Sequence, residues 1–201
     1  AYDTIAPIAS RIQSREVIWD RMHFDANYEH VMIEVHHMAD KIYSKKGANL
    51  YKDIMLDGLS NDLCPLRFGD IEVMTPNDTY NAFYVFGHLW RHFASSGVGI
   101  RQFCDWACFL HTHVGKLDLP YLKKILDDLN FMIPWQVLGC FIVKDLGLPE
   151  EEFPFYNKKY VNKVDRVRNY VIIDGNYIKK EGKYEIQSCI QSVYAWRALQ
   201  I

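Results

Sequence analysis

The segment Asn77–His113, NDTYNAFYVFGHLWRHFASSGVGIRQFCDWACFLHTH, decides how the rest of the chain is read. In its first half Phe83, Phe86, Trp90 and Phe93 recur at three- and four-residue intervals, an apolar stripe of helical period. Asn81, His88, His92 and Ser95 follow a separate, more polar line. The SSGVG run interrupts the period and IRQFCDWACFLHTH resumes it, so the segment predicts two helices joined by a glycine turn and packed antiparallel.

Downstream the chain continues as helix. LDLPYLKKILDDLN places Asp118 as N-cap with Pro120 just inside, and MIPWQVLGCFIVKDLG ends at Gly147, a glycine stop before Pro149. An acidic and aromatic loop, EEEFPFY, precedes NKKYVNKVDRVRNYVII, which ends at the Asp174-Gly175-Asn176 turn. YEIQSCIQSVYAWRALQ reads as a closing helix.

Upstream the period shortens. Ile5, Ile8 and Ile12 predict an opening helix around 7–20. From Arg21 to Met38 the reading is a β-hairpin: RMHF, a DAN turn, then YEHVMIEVHHM, where Val31, Ile33 and Val35 alternate with His30, Met32, Glu34 and His36. A short helix is expected over Asn49–Leu56, stopping at Asp57-Gly58, then two short strands around Gly69 in LRFGDIEVM. Thr75 before Pro76, with Asp78 three residues on, predicts the start of the next helix. Strands first and helices after make an α+β chain, with a β-containing part over 1–75 and an α-helical bundle over 76–201.

Totals narrow the possibilities. A chain of 201 residues with 14% aromatic and 24% charged residues is long enough and apolar enough to build a core. A net charge of -2 without a basic block offers no footprint for duplex nucleic acid. Five cysteines, an odd number without a CxxC pair, suggest a reducing cytoplasm. The longest apolar run, Phe131–Val143, holds Pro134 and Gln136 and falls short of the roughly 20 residues needed to span a bilayer. The first residues, AYDTIAPIAS, lack the basic start and apolar core of a signal peptide, no initiator Met is present and the last helix stops unfinished, so a piece of a longer protein is expected.

Four groups of residues could carry chemistry. Glu34 in Ile33-Glu34-Val35 is an acidic residue on a strand, the form in which phosphoryl-transfer sheets supply one carboxylate to Mg²⁺; read alone, it is more often a solvated carboxylate on a polar face. His88 and His92 share a helix face at a spacing seen in zinc sites, with Asp105 as the nearest third ligand; inter-helix hydrogen bonding is the plainer alternative. Arg101 and Asp105 pair along their own helix, or meet His88 and His92 in a polar network. GDIEV at 69–73 has an acidic-x-acidic form without a Gly-Ser turn upstream, and reads as a strand turn.

NAFYVFGHLWRHFASSGVGIRQFCDWACFLH and WQVLGCFIVKDLGLPEEEFPFY, with IEVHH upstream, resemble the uncharacterised nucleotidyltransferase family of Bacteroides-type bacteria over roughly Arg21 to Tyr177. The resemblance implies a DNA polymerase beta-like nucleotidyltransferase sheet, here a remnant, followed by helices. It also implies Mg²⁺, an NTP and an unidentified acceptor. In that superfamily a Gly-Ser turn and an Asp-x-Asp strand supply two carboxylates, and a later apolar-acidic-apolar strand supplies the third. Glu34 matches the third position, with His36 beside it, and the first two are not in this chain. The expectation is therefore a fragment inactive on its own, with Glu34 as metal ligand, Glu34 and His36 as catalytic residues, and His88, His92, Arg101 and Asp105 binding substrate. A non-catalytic binding module and a metal-dependent hydrolase built on His88, His92 and Asp105 are the rival readings.

Overall fold

The computed structural model describes residues 18–19, 23–28, 31–36, 45–95 and 97–174. The chain divides into two compact units, Ala1–Tyr43 and Ser44–Ile201. As the sequence predicts, the architecture is α+β, with antiparallel strands followed by helices.

In the first unit β1 (Ile18–Trp19), β2 (His23–Tyr28) and β3 (Val31–His36) form an antiparallel sheet in the order β1-β2-β3. Its register pairs Phe24 with Val35, Ala26 with Ile33 and Tyr28 with Val31. Trp19 pairs with Phe24. Because successive residues alternate between the two sides of a strand, all seven of these residues fall on one side, which is entirely apolar. Two expectations change here. Asp25-Ala26-Asn27 is strand rather than turn, since its polar-apolar-polar alternation continues the pattern of His23 and Phe24 and outweighs the turn preference of Asp and Asn. Ile18–Trp19 is strand where the end of an opening helix was expected; the rest of that helix, His30, and the closing helix lie outside the described residues.

The second unit opens with α1 (Lys45–Ser60), longer than the sequence suggests. Gly58 does not stop it. A Cβ at Gly58 would run into the Tyr80 ring, so glycine serves close packing rather than termination. The hairpin β4 (Cys64–Phe68) and β5 (Ile71–Thr75) turns at Gly69, whose φ of 59° suits glycine. Arg67 and Glu72 pair across it at 3.0 Å, and Asp70 stands in the turn, which makes GDIEV structural.

Four helices follow: α2 (Asp78–Ser95), α3 (Ile100–Thr112), α4 (Leu119–Asp128) and α5 (Met132–Leu146). The N-cap of α2 is Asn77, whose Oδ1 accepts the Tyr80 N–H at 2.8 Å. Thr75, the expected cap, donates its hydroxyl to the Cys64 carbonyl and ends the hairpin. Asp118 caps α4 by accepting from Tyr121 N–H, and Gly147 ends α5 at φ 79°, both as expected.

The apolar stripe of α2 is buried, and Phe86 meets Trp106 of α3 and Trp135 of α5 at 5.4 and 5.0 Å between ring centroids. Phe153, after the 3-10 turn Glu150–Glu152, closes on both tryptophans. Gly139 leaves the space its ring occupies. Trp135 Nε1 donates to the Pro154 carbonyl and Gln136 Nε2 to that of Phe155, which ties the loop onto α5. The expected single helix over 157–173 is three pieces: a 3-10 turn Lys158–Lys163, α6 (Val164–Asn169) and a π turn Tyr170–Asp174. No single helix among the described residues is long and apolar enough to cross a membrane.

Candidate functional site

The candidate residues lie on both units. On β3, Glu34 and His36 are two apart and so fall on the same side of the sheet, opposite the apolar side. The register sets Asp25 opposite Glu34, His23 opposite His36 and Asn27 opposite Met32. Asp25 and His23 were not singled out in the sequence, because Asp25 was absorbed into a supposed turn. The alternation of His23, Asp25 and Asn27 with Phe24, Ala26 and Tyr28 was the signal that could have found them.

On α2, Tyr80, Tyr84, His88 and His92 form a ladder of rings at four-residue steps. Centroids are 6.2 Å apart for Tyr80 and Tyr84, 6.4 Å for Tyr84 and His88, and 4.6 Å for His88 and His92. Arg91 Nη2 lies 3.1 Å from His92 Nε2. A guanidinium only donates, so His92 accepts through Nε2 and carries its proton on Nδ1. Burial, then the positive charge of Arg91, then His88 push the His92 pKa down to about 4. His92 is therefore a neutral hydrogen-bonding group at pH 7.

Arg101 and Asp105 lie on α3 as an exposed pair 3.8 Å apart, away from its buried face of Phe103, Trp106 and Leu110. Asp105 finds its charge partner in Arg101, and among the described residues no three His, Cys, Asp or Glu are grouped to hold a metal. The His88, His92 and Asp105 triad thus does not assemble as a ligand set.

A shallow cleft of about 230 Å³ separates α1 from α4, with Asp53, Asp57, Tyr121, Lys124 and Asp128 on its walls. Lys124 bonds Asp128 at 2.6 Å, which raises the lysine pKa, and burial followed by Asp57 raises that of Tyr121.

A sequence model described as an uncharacterised nucleotidyltransferase matches residues 9–137, well over half of the chain. The match begins ahead of Arg21, takes in β1 to β3, and ends inside α5, short of the 150–156 loop. Comparison with curated proteins and with solved structures found no match.

Proposed function

The chain belongs to the uncharacterised nucleotidyltransferase family, and from that membership we propose that it serves transfer of a nucleotidyl group from an NTP to an acceptor, with Glu34 as a carboxylate ligand of Mg²⁺. The observation that carries this reading is the position of Glu34 at the middle of β3, inside the matched span, on the polar side of a sheet whose other side is apolar. A carboxylate on a strand suits a hard cation that takes oxygen ligands. When bound, Mg²⁺ would offset the charge that develops on the transferring phosphate. His36, on the same side of the strand, is assigned to take a proton from the acceptor, which an imidazole can do near neutral pH.

On the helical unit, acceptor or phosphate binding is assigned to His88, His92, Arg101 and Asp105. His92 offers a neutral ring, whereas Arg101 is an exposed cation of the kind that binds phosphate. The Gly-Ser turn and Asp-x-Asp strand that would complete the metal and phosphate sites do not occur in residues 1–201. Transfer is therefore proposed for a chain that carries them, and residues 1–201 alone should be inactive.

The experiment is pyrophosphate release from NTP and Mg²⁺ by a chain extended upstream. Glu34→Ala should lower turnover by on the order of 100-fold, the scale expected when a metal ligand is lost. Equal turnover in both proteins would sink the assignment.

A second reading, a non-catalytic binding module, is favoured by the β4–β5 hairpin. Leu66, Phe68, Ile71 and Val73 are all exposed, and their register puts them on one side of it. An extended chain that binds no NTP and releases no pyrophosphate would move the balance to this reading.

A further inference from the structure

We propose that the β4–β5 hairpin is a self-association arm, in which β5 pairs antiparallel with β5 of a second copy of this chain through the edge formed by Glu72 and Met74. The strand residues are exposed or half-buried throughout, so neither side of the hairpin is covered. Two strands by themselves are marginal in water, and added strands supply the pairing they lack. The loop between the partners Phe68 and Ile71 is Gly69-Asp70, with Gly69 at φ 59° in the first loop position, as a type II′ turn requires. In such a hairpin the closing pair exchanges both backbone hydrogen bonds, and bonded pairs then alternate along the ladder. Phe68 with Ile71, Leu66 with Val73 and Cys64 with Thr75 therefore bond inward, while the backbone groups of Pro65, Arg67, Glu72 and Met74 point outward.

The two edges differ. On β4, Pro65 has no N–H to offer, and only the Arg67 donor remains. On β5, Glu72 and Met74 each keep a donor and an acceptor, and among the described residues no hydrogen bond reaches those backbone groups. An added strand therefore joins at β5.

A second β5 fits this edge in one register. With the two-fold axis through Val73, Glu72 of each copy faces Met74 of the other, and the two pairs exchange four backbone hydrogen bonds. Val73 then meets its own counterpart on the apolar side, between the two Leu66 residues. An axis through Glu72 would set two carboxylates opposite one another, which is unfavourable. An axis through Met74 would bring Pro76, which has no N–H, opposite Glu72. In the Val73 register the Glu72 charge faces a neutral side chain and stays offset by Arg67, 3.0 Å away in its own hairpin. The edge is complementary to itself in hydrogen bonds and in charge, which commits it to a second copy as its occupant. This inference goes beyond nucleotidyl transfer and uses none of the residues assigned to it.

The test follows the 201-residue chain by sedimentation equilibrium and amide hydrogen exchange from about 10 µM to about 1 mM, because small interfaces bind weakly. The wild type should dimerise across that range. In the dimer the Glu72 and Met74 amides should exchange at least about tenfold more slowly, while the outward Arg67 amide keeps its rate. Met74→Pro removes an N–H that the hairpin itself does not use, and should leave the chain monomeric with an unchanged circular dichroism spectrum. Val73→Lys, which sets like charges opposite each other across the axis, should do the same.

Three results would overturn the proposal. The first is a wild type that stays monomeric at the highest concentration, which leaves the edge to a strand of another protein. The second is a dimer whose Glu72 and Met74 amides exchange as fast as in the monomer, and the third is Met74→Pro dimerising as tightly as the wild type. The first two need no variant and so hold if a substitution impairs folding.

Discussion

His92 couples the fold to pH. Its pKa is about 4 in the folded protein against an ordinary 6.5, so the folded state binds its proton less readily than the unfolded chain does. The stability this contributes is complete above about pH 6.5 and is lost progressively as pH falls toward 4. Denaturant unfolding between pH 7 and 4 should show that decline, and His92→Gln should flatten it. A His92 ring that titrates near 6.5 by NMR would remove the basis for the prediction. His88 and His92 stood out in the sequence by their spacing, but the neutral state of His92 could not be read there. It depends on burial and on Arg91, a neighbour in sequence whose guanidinium reaches the ring only in this conformation.

Capping is a property of the element. Asn77 starts α2 and also donates its Nδ2 to Asp62 at 3.0 Å, so one side chain both caps the helix and ties down the loop before β4. Asn77→Ala should lower stability by about 0.5–2 kcal/mol, the usual cost of losing an N-cap, whereas Thr75→Ala removes only a hairpin hydrogen bond and should cost less. Chemical denaturation of the two variants checks the order; the reverse ranking would mean that Thr75 is the cap after all. Both residues are sound cap choices by local chemistry. What separates them is the Cys64 carbonyl across the hairpin, which takes the Thr75 hydroxyl and which no local rule brings into view.

In the helical unit the buried core holds an aromatic cluster, Phe86, Trp106, Trp135 and Phe153, fed by three helices and one loop. Gly139 is the gap that admits Phe153. The ring is buried and held by both tryptophans, so it cannot swing away from an added methyl group. Gly139→Ala should therefore destabilise by about 1–3 kcal/mol through overpacking, although alanine is the better helix former by about 1 kcal/mol. Equilibrium unfolding that shows a gain in stability would mean the loop docks less tightly than the ring contacts imply.

What the sequence determined by itself is what repeats along the chain. The helical stripe of α2, the caps at Asp118 and Gly147, the Gly69 hairpin and the alternation around Glu34 are all encoded within one or two turns or strand steps, where side-chain period and backbone preference act directly. Family membership was likewise legible, from segments that the structure places on β3, α2 and α3. Tertiary structure alone decided the rest. It extended α1 through Gly58 because Tyr80 needs the space, divided the 157–173 segment into three pieces, and set Asp25 opposite Glu34. Each of these depends on a partner distant in sequence or on strand register, and a pattern that repeats every two or four residues carries no record of which element will lie alongside it.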